Sequence, residues 1–85
     1  MSNQSTGCTE AAATRASILR IAKAWEAAGK VNQALDGYAR LLSRYPGSSE
    51  AAEAAGSIRA LAEGCERRGE YHLALALYDK LERLS

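Results

Sequence analysis

The stretch Ile18–Tyr45, ILRIAKAWEAAGKVNQALDGYARLLSRY, returns forty residues later as Ile58–Ser85. Ile18 matches Ile58, Ala22 matches Ala62, Glu26 matches Glu66 and Gly29 matches Gly69. Ala34-Leu35, Tyr38 and Leu41 likewise match Ala74-Leu75, Tyr78 and Leu81. Apolar, glycine and aromatic positions repeating at one fixed offset mark an internal repeat. Each copy reads as two helices folded back on each other around its glycine. The expected architecture is therefore all-α, four helices in two antiparallel hairpins.

Local signals set the expected boundaries. Residues 1–8 are polar and read as a disordered tail, leaving 9–85 as a single domain. Thr9 followed by Glu10 is expected to cap the first helix, which runs through Ala28 with a stripe of Ile18, Ile21, Ala22 and Trp25. Gly29 ends it. A two- to three-residue link then forces an antiparallel turn into a second helix, about Val31–Tyr45, with Val31, Ala34, Leu35, Tyr38, Leu41, Leu42 and Tyr45 inward. Pro46-Gly47 stops that helix. Ser48 or Ser49 caps the third, which reaches about Arg68 before Gly69, with Ala51, Ala54, Ala55, Ile58, Leu61, Ala62 and Cys65 inward. The fourth runs from Tyr71 to the end, with Tyr71, Ala74, Leu75, Tyr78 and Leu81 inward. Gly56 and Gly64 share one face of helix three, either as a groove that something approaches or as glycines tolerated in an alanine-rich helix.

Composition narrows the function classes. Alanine and leucine dominate, phenylalanine is absent, and small inward side chains bury little area per residue, so a partner surface would add stability. Eleven basic and ten acidic residues, interspersed, give a net charge of +1, which offers no field for nucleic acid or an anionic membrane. Lys23, Arg59 and Arg67-Arg68 accordingly read as a solvated face. No segment approaches the ~20 apolar residues of a membrane span. No apolar run precedes Ser5-Thr6-Gly7-Cys8, so no signal peptide is expected, and the chain reads as soluble and cytoplasmic. Cys8 and Cys65 are the only cysteines and are not expected to pair.

Chemistry is sparse. His72, the only histidine, lies across the Gly69 turn from Cys65, which belongs to the inward stripe, so no nucleophile–base pair forms. Two cysteines and one histidine do not make a four-ligand metal site. Glu63, Glu66 and Glu70 read as surface carboxylates. Neither an enzyme nor a cofactor is expected.

The repeated pattern resembles the tetratricopeptide repeat, a 34-residue helix-turn-helix unit. With Pro46 as the closing proline of that unit, Arg15–Ser48 forms one repeat, with Ala22, Trp25, Ala34, Tyr38 and Leu41 at the family's places. A second starts near Ala55 and runs to residue 85, with Ala62, Tyr71, Ala74, Tyr78 and Leu81 in register. The resemblance covers about four fifths of the chain and implies a fragment of a right-handed α-α superhelix. Two departures stand out. The forty-residue period places the extra residues in Gly47–Ala54, lengthening helix three by more than a turn at its start. Only two units are present, where such arrays ordinarily carry three or more with a cap. Position 86 would hold the counterpart of Pro46, which fits an excised or shortened member of a longer array. Tyr45-Pro46-x-Ser48 followed by spaced alanines is similar to repeats of bacterial cell-envelope and assembly scaffolds.

The resemblance also implies a concave groove for a peptide, lined by Leu19, Arg20, Lys23 and Glu26 of the first helix and by Arg59, Ala60, Glu63 and Arg67 of the third. Lys23 and Glu63 stand where carboxylate-binding members carry asparagine, so a carboxylate clamp is not expected. The residues themselves point to a second surface. Gln33, Gly37 and Arg44 of the first copy become Leu73, Leu77 and Leu84 in the second, which leaves helix four apolar over most of its circumference. Either a partner covers these leucines or the four-helix packing does. The preferred reading is a non-enzymatic scaffold or adaptor that forms a homo-oligomer through Leu73, Leu77 and Leu84. The alternative is a monomeric peptide receptor using the groove.

Overall fold

A computed structural model of the chain describes residues 3–84, and the side chains of residues 10–84. Four helices account for nearly all of it: α1 (Asn3–Ala27), α2 (Val31–Arg44), α3 (Ser49–Arg67) and α4 (Tyr71–Leu84). No strand occurs among the described residues. α1 packs on α2 and α3 on α4, as the short turns require, and α3 lies against α2 to join the hairpins. The Cα envelope measures 55 × 26 × 14 Å. One dimension is close to the diameter of a single helix with its side chains, about 10–12 Å.

The two hairpin turns are copies down to their hydrogen bonds. In the first, Lys30 N donates to Trp25 O at 2.8 Å and Gly29 N to Glu26 O at 3.0 Å. In the second, Glu70 N donates to Cys65 O at 2.8 Å and Gly69 N to Glu66 O at 3.0 Å. This pair of bonds closes a helix by satisfying its last carbonyls, and it needs a left-handed residue just past the end. Gly29 (φ +81°) and Gly69 (φ +79°) supply it.

Between the hairpins, Pro46-Gly47 breaks the helical ladder and Ser48 restarts it. Ser48 adopts extended backbone, its Oγ accepting from Ala51 N at 3.1 Å and donating to Tyr45 O at 2.8 Å. Arg15 clamps the same corner: its Nε donates to Glu50 Oε1 at 3.0 Å, and its guanidinium lies 5.8 Å from the centre of the Tyr45 ring. The Glu50 carboxyl is held below its ordinary value, first by a hydrogen bond from its own backbone amide at the helix start and then by Arg15. α3 thus begins well ahead of Ala55, the added turn that the long period predicts. At the other end of the chain α1 starts at Asn3, so Thr9 lies inside the helix instead of capping it, within the segment read as a tail. Residues 1 and 2 lie outside the described residues.

The core is made of small residues around three larger ones. Tyr38, Leu41 and Ile58 are fully buried, packed among Ala22, Ala34, Ala54 and Ala62, which have no exposed surface. Cys65 is buried and unpaired, its Sγ accepting from Arg68 at 3.5 Å. α1 and α2 approach so closely that a Cβ on Gly37 would stand 2.8 Å from the Ala22 Cβ. Gly56, by contrast, has nothing within 4 Å of the place its Cβ would take, and Gly64 meets only the arginine side chains of its own helix. No part of the chain packs closely on either glycine, so neither is needed for contact within the fold.

Opposite responses to the same substitution follow. Gly37→Ala is expected to lower stability by about 1–3 kcal/mol, the cost of over-packing, even after the helix gains propensity. Gly56→Ala should raise it by up to about 1 kcal/mol. Urea titrations of both variants check this, and stabilisation by Gly37→Ala would refute the close approach of α1 and α2.

Candidate functional site

Two faces of this thin structure are apolar and uncovered. The first is a cleft of about 270 Å³ between α1 and α2, lined by Ile18, Ile21, Trp25, Gly37 and Arg40, with Gln33 and Asp36 at its edge. Ile21 is 54% exposed and Trp25 37%. Both belong to the stripe expected to form the core, and of that stripe only Ala22 is fully buried. The reason is geometric. Their counterparts in the second hairpin, Leu61 and Cys65, pack in or against the core, whereas no helix among the described residues lies on the matching side of the first.

The second is the outer face of α4. Leu75 is 66% exposed and Tyr71 65%, although both were expected to face inward. Leu35, the counterpart of Leu75, is buried because α3 lies over α2; no helix among the described residues lies over α4 in that way. Of the three leucines expected at an oligomer surface, Leu73 is exposed, Leu84 is half-buried against the core and Leu77 is buried. The expected exposure of Leu77 is therefore corrected. α4 touches α2 as well as α3, and Leu77 joins the core on that account. α1 does not reach α4 among the described residues, so its long start covers none of these side chains.

The expected groove residues separate into engaged and free ones. Lys23 forms an ion pair with Glu53 at 3.4 Å and donates to Ser57 Oγ at 3.4 Å, tying α1 to α3. Glu26 accepts from the Tyr38 hydroxyl at 2.5 Å. Leu19 is half-buried and packs on the core, and Arg20 donates to Ser17 on its own helix at 3.1 Å. Arg59, Glu63 and Arg67 are exposed on α3, and Arg59 borders a second cleft with Leu75, Tyr78 and Leu81. Within the groove set, Lys23 ties the two hairpins together and Glu26 ties α1 to α2 within the first.

Burial pushes the Tyr38 hydroxyl up to about 12, with the hydrogen bond to the Glu26 carboxylate adding to it and Ser57 opposing. Tyr78 repeats the arrangement with Glu66 and is raised by the same causes, burial first. His72 is exposed at the start of α4, away from the buried Cys65. No group of three or more metal-ligating side chains occurs among the described residues. No helix among them is long and apolar enough to cross a membrane. Cys8 lies outside the residues whose side chains are described.

The two open faces were missed by reading stripes one helix at a time. The signal that finds them is positional. Two stacked hairpins have only one junction, so one side of the first and the opposite side of the second stay open whatever residues they carry.

Compared with known families, residues 16–48 match the model of the Tetratricopeptide repeat. The match covers the C-terminal part of α1, all of α2 and the Pro46-Gly47 turn, and it falls within the unit Arg15–Ser48 delimited from the sequence. No curated protein and no solved structure matches the chain.

Two measurements probe these environments. Leu77→Ala is expected to cost about 2–5 kcal/mol as a core truncation, and Leu75→Ala to stay within about 0.5 kcal/mol, by denaturant titration at a concentration where the chain is monomeric. Equal effects would contradict the division of α4 into covered and open sides. For Tyr38, the folded state favours the neutral phenol. Its contribution is therefore complete below the ordinary value of 10.0 and is lost as pH rises from there towards about 12. Tyr38→Phe should cost about 1 kcal/mol at neutral pH and flatten the loss of stability over that alkaline window. An unchanged alkaline profile would exclude the Tyr38–Glu26 bond as its source.

Proposed function

We propose that this chain, a tetratricopeptide-like helical repeat, is a protein–protein interaction module that works by binding copies of itself through the outer face of α4. Repeats of this kind are typically non-enzymatic. On this reading the protein is a small cytoplasmic scaffold or adaptor with no bound cofactor. The observation that carries it is the contrast between Leu35, buried, and Leu75, 66% exposed, at matching positions of the two hairpins. Tyr71, one turn before Leu75, extends the same exposed side of α4, and Leu73 is exposed on the opposite side of the helix. Large apolar side chains clustered in this way mark an interaction surface.

The competing use, a monomeric peptide receptor along α1 and α3, draws less support. Lys23 and Glu26 already have partners within the chain, and a ligand would have to displace Glu53, Ser57 or Tyr38 to reach them.

Sedimentation equilibrium over a wide concentration range tests the proposal. The wild type should show a mass that rises with concentration. Burying a leucine contributes about 1.5–3 kcal/mol, so Leu75→Glu should weaken association by at least about tenfold, while Lys23→Glu leaves it unchanged. A wild type that stays monomeric throughout would sink the reading. Capture of a peptide that depends on Lys23 or Arg59, with no self-association, would put the receptor in its place.

A further inference from the structure

We propose that copies of this chain join head to tail, the outer face of α4 in one copy seating in the α1–α2 cleft of the next. This rests on the self-association proposed above and names its second surface. The chain already contains one example of the junction. On one side of it α2 presents Leu35 and Leu42, which are 8% and 9% exposed. On the other stand Ile58, Cys65 and Leu77 of the second hairpin, each 3% exposed or less.

The forty-residue register carries each half of that junction to an open end. Shifted forward, Leu35 becomes Leu75 on the outer face of α4 and Leu42 becomes the exposed Glu82. Shifted back, Ile58, Cys65 and Leu77 become Ile18, Trp25 and Gly37, and all three line the cleft. The two open faces are thus the unmated halves of an interface that the molecule builds once inside itself. They differ from the internal pair in a compensating way. The cleft has a large residue for a small one where Trp25 replaces Cys65, and a small for a large where Gly37 replaces Leu77. Bulk is exchanged across the cleft rather than added.

Charge agrees with the pairing. The α4 side carries Arg59, Asp79 and Glu82 around its apolar residues, and the cleft carries Asp36 and Arg40, so each rim offers both signs to the other. The α4 face complements the cleft and not another α4 face, which makes the contact heterologous. Each addition leaves one free cleft and one free α4, so growth does not stop at a dimer.

Two single variants and their mixture decide it. Leu75→Glu disables the α4 face, and Ile21→Glu disables the cleft; both sites are exposed and outside the core, and circular dichroism verifies that each variant folds. The wild type should form species larger than a dimer. Each variant alone should be a monomer, and an equimolar mixture should give a one-to-one dimer and nothing larger. Trp25, the only tryptophan, should shift its emission to the blue on mixing, as the cleft of the Leu75→Glu copy fills. An Ile21→Glu protein that still dimerises, with a mixture that fails to recruit Leu75→Glu, would overturn the head-to-tail arrangement while leaving self-association through α4 intact. A monomeric wild type would overturn both.

Discussion

Everything in this molecule follows from how little a hairpin of small residues can bury by itself. Ala22 and Gly37 let α1 and α2 approach until no further carbon fits between them. Close approach strengthens contact between the two backbones, but it leaves few side-chain atoms to shield from water. A pair of helices packed this way is a layer, not a core. The residues with enough bulk to make one, Tyr38, Leu41 and Ile58, are fully buried in the four-helix structure and belong to one core cluster drawn from both hairpins. Stacking is therefore a condition of the fold and not an addition to it.

That dependence explains how the turns are built. If stability comes from the face between hairpins, the angle of each hairpin has to be fixed before the faces meet. The matched glycine turns at Gly29 and Gly69 do this with identical hydrogen bonds. The single Pro46-Gly47 break, with Ser48 bonded on both sides of it, sets the second layer against the first. Arg15 spans the two layers to reach Glu50, and Lys23 does so to reach Glu53. Exposed pairs such as Lys23–Glu53 contribute little energy, and their role is to fix register.

Helix number, turn positions and the pairing of hairpins were legible in the sequence because each rests on local chemistry: glycine past a helix end, proline at a break, apolar residues at helical spacing. The side of a helix that is covered is a different kind of fact. Leu35 and Leu75 are the same residue in the same local pattern, and one is buried while the other is exposed. No periodicity distinguishes them, since the difference lies in whether another layer sits beyond. Leu77 shows the converse. It stood out as an excess leucine beside the stripe, and α4 lies close enough to α2 for it to enter the core. The groove residues were placed on the right helices, but the pairing of Lys23 to Ser57 depends on how α1 meets α3 and that of Glu26 to Tyr38 on how α1 meets α2, which a single strip of sequence does not record.

The same positional logic sets the strength of the contact between copies. Inside the chain the α2 face offers Ala39 and Leu42 to the next layer. At the open end the matching positions on α4 are Asp79 and Glu82, both exposed. Bringing a carboxylate to an interface removes water from it and is repaid only where a cation meets it with good geometry. In the head-to-tail arrangement proposed above, the junction between copies would be a weakened version of the junction within one, with Leu75 kept in place of Leu35 and Glu82 standing in place of Leu42. A rim of that kind discriminates among partners more than it tightens binding. The internal junction holds the fold at any concentration. The proposed external one, built on the same register, would respond to how much of the protein is present and to the salt around it.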